Sequence, residues 1–180
     1  MATPARTPGE SLFDELLWVH GAIRADLEKV RGLAADAVAG APPERIGAAV
    51  GELRTNSPLW QLKAGCFAHC RFVHHHHRLE DMALFPALRR ANPELGPVVD
   101  KLESDHRSIA ARVDEVEAAV AALDGAEGIA GGEPAEGDGD DRAARERLAG
   151  ALETLAGELL EHLGYEEESV AATMRAMDGL

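Results

Sequence analysis

Four stretches of this 180-residue chain repeat apolar residues at alternating steps of three and four, and histidine breaks into each of them. They read Leu16-His20-Ile23-Leu27-Val30, Leu62-Cys66-His69-Val73-His76-Glu80-Ala83, Val99-Leu102-His106-Ile109-Val113-Val116-Val120-Leu123 and Leu148-Leu152-Leu155-Leu159-His162-Glu166. That step lines one face of an α-helix. Four helices packed on these faces bury the imidazoles of His20, His76, His106 and His162 together with the carboxylates of Glu80 and Glu166. An unpaired carboxylate costs several kcal/mol inside a core, and two facing each other cost more. A bound cation removes that cost, so the pattern predicts a metal site.

Depth along the helices agrees with this. With helix starts near Ser11 and Asn92 and ends near Arg90 and Met177, an up-down-up-down arrangement puts each ligand group roughly ten to fifteen residues from one end of the bundle. At the helical rise this is about 15 to 20 Å. All six groups can meet in one layer.

The 46% hydrophobic content supplies a core for one domain, and the 4% aromatic content favours helices over sheets. A formal charge of −14 repels phosphate backbones and anionic lipid, which argues against nucleic acid or a membrane surface as partner. MATPARTPGE lacks the apolar core of a secretion signal and no apolar run is long enough to span a bilayer, so a cytoplasmic location is expected. Cys66 and Cys70 stand one helical turn apart, a poor geometry for a disulfide, and are expected to be reduced packing residues.

Punctuation sets the expected boundaries. Residues 1–10 read as a tail and 11–177 as the bundle. Ser11 and Asp14 look like a capping pair for a first helix that ends near Arg31, before Gly32. A long connection with Pro42-Pro43 follows, with a short helix in ERIGAAVGELR. Ser57-Pro58 opens a second helix to about Arg90, and the valine seam carries a third to about Leu123. DGAEGIAGGEPAEGDGDD, residues 124–141, reads as a flexible acidic loop, and the fourth helix spans about Arg142 to Met177.

His-x-x-x-Glu brings two donors to one helix face, one turn apart. In His74-His75-His76-His77 the seam favours the 76/80 register over His77 with Asp81. His74, His75 and His77 then read as a partly solvated flank, with His77 and Asp81 as alternative ligands or supports behind the ligands. His69 lies about 10 Å before His76 and reads as a core or channel histidine. Tyr165, between His162 and Glu166, reads as a packing residue within reach of a ligand. Glu167, Glu168 and Asp105 adjoin ligands and are expected to face solvent or to back them. Trp18, Trp60, Phe13, Phe67, Phe72 and Phe85 read as core. No nucleophile triad or phosphate loop appears, and no catalytic residue is assigned.

The segments LLWVHGAIRADLEKV, FVHHHHRLEDMALFPALR, LESDHRSIA and LEHLGYEEESV resemble the hemerythrin-like HHE cation-binding domains, over about residues 11 to 177. The resemblance implies a four-helix bundle around a non-haem di-iron centre, Fe2+ or Fe3+, with oxo or hydroxo and carboxylate bridges. It implicates His20, His76, Glu80, His106, His162 and Glu166. Oxygen-carrying hemerythrins have a second histidine four residues after the third-helix one, where this chain has Ala110, and His-x-x-x-x-Asp in the last helix, where it has His162-Leu-Gly-Tyr-Glu166. Six protein ligands instead of seven leave positions for oxygen, nitric oxide or peroxide. Manganese and zinc satisfy the same donors.

The expected function is therefore binding or sensing of a small diatomic ligand or peroxide at iron. The alternatives are a di-iron enzyme that decomposes peroxide or oxidises a substrate, and a structural zinc or iron-storage module without turnover.

Overall fold

A computed structural model describes residues 7–39, 58–127 and 138–178. Among them there is no strand. Helix α1 spans Pro8–Val38, α2 spans Pro58–Leu79, and a π-helical turn, Glu80–Leu84, joins α2 without a break to α3, Phe85–Ala91. A 3-10 turn, Pro93–Leu95, leads into α4, Gly96–Glu127, and α5 covers Asp138–Ala176. Helix α5 packs along both α1 and α4, and α2 closes the ring against the same two helices. This is the expected all-α four-helix bundle, with α2, the π turn and α3 acting as one long member. No helix among the described residues is long and apolar enough to cross a membrane.

The ends differ from expectation in ways the backbone explains. The α1 cap is Thr7, not Ser11: its hydroxyl accepts from the Glu10 amide and the Glu10 carboxylate accepts from the Thr7 amide, with Pro8 at the first helical position. Thus residues 8–10 are helix rather than tail. Gly32 does not stop α1. It sits on the exposed side while Leu33, Ala34 and Ala37 continue the buried face to Val38. The acidic stretch is shorter than 124–141, because α4 runs on to Glu127 and α5 begins at Asp138. Its centre, 128–137, and the short helix expected within 44–54 lie outside the described residues.

The seams form the core. Every described seam member is buried except Ala83, which is exposed while Leu84 is buried. Pro86 accounts for this slip. It has no amide hydrogen for the Met82 carbonyl, and its ring crowds that carbonyl. The turn before it widens so that the Phe85 amide donates to the Glu80 carbonyl five residues back. One extra residue in the turn rotates everything after it.

Two aromatic expectations fail. Trp18 is 72% exposed and Phe72 37% exposed, because both fall off the seam, whereas Phe13 and Phe85 are buried on it. The side chains of Trp60 and Phe67 lie outside the described residues.

The apolar interior is not continuous. One cluster, with Ile23, Leu27, Val113, Leu152 and Leu159, fills the end near the acidic stretch. A second, with Phe13, Leu16, Phe85, Leu88, Leu102 and Met174, fills the other. Close contact ties α1 to α5 at that end: a Cβ on Gly9 would collide with the carbonyl oxygens of Met174 and Met177. Between the two clusters lies a layer of histidine and glutamate.

Candidate metal centre

The layer holds His20 from α1, His76 and His77 from α2, Glu80 from the π turn, His106 from α4, and His162 and Glu166 from α5. Each is at most 7% exposed. Their donor atoms fall into two groups: His20, His76, Glu80 and Glu166 in one, His77, His106 and His162 in the other, each within a span of 4.8 Å. All six residues inferred from the seams are brought together.

His77 is the addition. It is 5% exposed rather than a solvated flank, and its ring stacks on that of His106 with centroids 4.0 Å apart. The 76/80 and 77 positions are adjacent on the wheel, and the buried face is wide enough to take both. Cys70 and Leu84, buried seven residues either side of His77, were the available signal. A missing donor at Ala110 was another.

The carboxylates lie between the groups. Glu80 Oε1 is 3.1 Å from His76 Nε2 and 3.8 Å from His20 Nε2, while its Oε2 is 3.5 Å from His106 Nε2. Glu166 Oε2 is 3.4 Å from His20 Nε2 and 3.8 Å from His162 Nε2. Across the second group His106 Nε2 and His162 Nε2 are 3.1 Å apart. Two nitrogens bound at about 2.1 Å to one ion at right angles are separated by roughly 3 Å, so this spacing suits shared coordination.

Outer carboxylates aim the rings. His20 Nδ1 donates to Glu167 Oε1 at 2.8 Å, and the Arg24 guanidinium donates to the same oxygen. His106 Nδ1 donates to Asp81 Oδ1 at 2.8 Å. Each bond leaves Nε2 free to turn inward with its lone pair, the arrangement that a metal-binding imidazole needs. Asp81 therefore supports His106 instead of joining a donor group, and Glu167 does the same for His20. Tyr165 belongs to neither group. It packs against the Phe85 cluster beneath the Lys101 ammonium. His69 is buried one stretch away, with both ring nitrogens lacking a hydrogen-bond partner among the described residues. Cys66 and Cys70 are free, and burial pushes both thiols up to about 12.

The electrostatics expose the cost of this layer. Burial, reinforced by neighbouring histidines, drives His76 down to about 3 and His106 to about 2 and holds His77 below the ordinary range, and burial lowers His162 against the opposing pull of Glu166 and Asp105. Burial and the Glu166 charge raise Glu80 to about 8. Burial also opposes charge on His20, but Glu166, Glu80 and Glu167 outweigh it and lift His20 to about 9. Among the described residues, the Nε2 atoms of His20, His76 and His77 and both carboxylate oxygens of Glu80 and Glu166 are buried without hydrogen-bond partners. Unpaired polar atoms are rarely concentrated so densely in a folded core. Imidazole nitrogens and carboxylate oxygens turned to a common centre make the donor set fit for divalent or trivalent cations, which would displace the protons that His20 and Glu80 hold.

No curated protein and no solved structure matches the chain. The hemerythrin HHE cation binding domain does, over residues 11–170, a span that takes in every residue of both donor groups. The chain belongs to the hemerythrin HHE cation-binding family.

Proposed function

We propose that the two donor groups hold a pair of iron ions and that the protein binds, senses or reacts with oxygen, nitric oxide or peroxide there. The observation that carries this reading is the division of seven buried donor residues into a set of four and a set of three, with Glu80 and Glu166 between them. Seven donors exceed what one tetrahedral structural zinc needs. The three-histidine set offers fewer protein donors, which leaves room beside it for an exchangeable ligand. Iron supplies reversible electron exchange and affinity for these small ligands.

The chain supplies the surroundings. Glu167 and Asp81 fix the tautomers of His20 and His106, and the Phe85 ring lies 5.1 Å from that of His106, stacked against it. Apolar clusters on both sides limit bulk water. The test is to load the protein with ferrous iron without oxygen, measure iron per chain, and record visible absorption before and after nitric oxide, oxygen or peroxide. Two irons per chain and a ligand-dependent band are expected. A spectrum indifferent to all three ligands would overturn the proposal, and sustained oxygen evolution from peroxide would make the protein an enzyme.

A further inference from the structure

A cavity of about 200 Å³ opens between α4 and α5 and has His162 among its walls. Its rim carries Lys101, Asp105, Ser108, Glu158 and Glu161. His162 is 1% exposed and its Nδ1 has no hydrogen-bond partner among the described residues; Asp105 Oδ2, the carboxylate oxygen beside it, stands 3.7 Å away. That carboxylate is drawn to the Lys101 ammonium instead. The backing that Glu167 gives His20 and Asp81 gives His106 is thus loosened at His162, where the protein has an opening.

We infer that this cavity is the entry route by which a small neutral ligand reaches the three-histidine group. The inference rests on the function proposed above. Size supports it: at about 30 Å³ per water the space holds roughly six waters, enough for nitric oxide, oxygen or hydrogen peroxide. Sites for organic molecules run to about 300–1,000 Å³. Charge supports it as well. Asp105 pairs with Lys101 on the α4 side of the mouth, Glu158 and Glu161 line the α5 side, and Arg112 is engaged with Glu158. A rim with more carboxylates than cations slows anions and is indifferent to neutral molecules. Two larger cavities among the described residues lie elsewhere: one is lined by Ala87, Asn92 and Thr173, the other by Arg71, Phe72 and His75, and neither has a donor residue in its wall.

Ser108 is an exposed rim residue whose hydroxyl donates to Glu158 at 2.7 Å. Ser108→Cys introduces an accessible thiol, while Cys66 and Cys70 are buried and poorly reactive. The folded, iron-loaded variant is compared before and after attachment of a bulky maleimide, using rapid mixing with nitric oxide and separately with azide. The label is expected to slow nitric oxide association at least tenfold with iron content unchanged. The same label on Ala35→Cys, at an exposed position on α1, is expected to have no effect. Glu161→Lys is expected to speed azide severalfold and leave nitric oxide unaltered. Normal nitric oxide binding at a rate the Ser108→Cys label does not change would overturn the route alone. Failure of the unmodified iron-loaded protein to bind nitric oxide would sink the function and the route together.

Discussion

His77 lies flat against His106, with ring planes 9° apart, and its own ring meets that of His162 edge-on at 5.2 Å. Three helices of the bundle therefore contribute to one three-imidazole set, and removing one ring leaves two donors. His77→Ala is expected to lower bound iron from two towards one per chain, measured by metal analysis after gel filtration. His75→Ala, two residues earlier and exposed, should keep both. Equal stoichiometry in the two variants would remove His77 from the site.

The outer carboxylates offer a second check. Asp81→Asn and Glu167→Gln keep shape but weaken the acceptor opposite His106 Nδ1 and His20 Nδ1. Supports of this kind are worth about 10- to 100-fold in metal affinity. Competition with a chelator should show a loss of that size for each, with the helical circular dichroism unchanged.

Acidity and alkalinity destabilise the metal-free protein for opposite reasons. His76 and His106, at about 3 and 2 when folded against an ordinary 6.5, take up protons more readily in the unfolded chain. Their contribution is lost as pH falls from 6.5 towards those values. His20 and Glu80, at about 9 and 8, hold protons that the unfolded chain releases above 6.5 and 4.5. Their contribution is complete below those ordinary values and is lost as pH climbs to about 9 and 8. Melting temperature without metal should therefore fall on both sides of a middle pH. Saturating cation, by taking the place of the trapped protons, should abolish the alkaline fall and raise the midpoint. A calorimetric series with and without metal measures both effects.

Gly9 makes a prediction far from the site. A methyl group there meets the backbone of α5 at Met174 and Met177, which cannot swing aside as a side chain can. Gly9→Ala should cost about 1–3 kcal/mol in urea unfolding, while Gly150→Ala, with open space around the position, should not destabilise the protein.

Much of this architecture was legible because a bundle writes its packing into a period. The seams located His20, His106, His162 and Glu166 at buried positions, and the family resemblance rested on the same residues. What escaped was geometry that a regular wheel cannot carry. The π turn before Pro86 slips the register, so Ala83 and Leu84 exchange places. The seam ranks His77 only as an alternative to the 76/80 register, whereas the buried face admits both. Glu167 and Asp81 were visible as neighbours of ligands, but the long-range bonds that give them their roles depend on which helices lie side by side. The α1 boundaries failed locally: Thr7 with Glu10 is a better box than Ser11 with Asp14, and exposed Gly32 costs a helix about 1 kcal/mol, too little to end one so well anchored.

The division of the interior into two apolar clusters has a mechanical outcome. Each cluster holds the four helices of the bundle at one end only, and the histidine–glutamate layer that joins them is, without an ion, a plane of crowded and thirsty polar atoms. Such a molecule resembles two short stacks bolted at the waist. With the bolt absent the halves can melt in succession, and with it tightened they must yield as one.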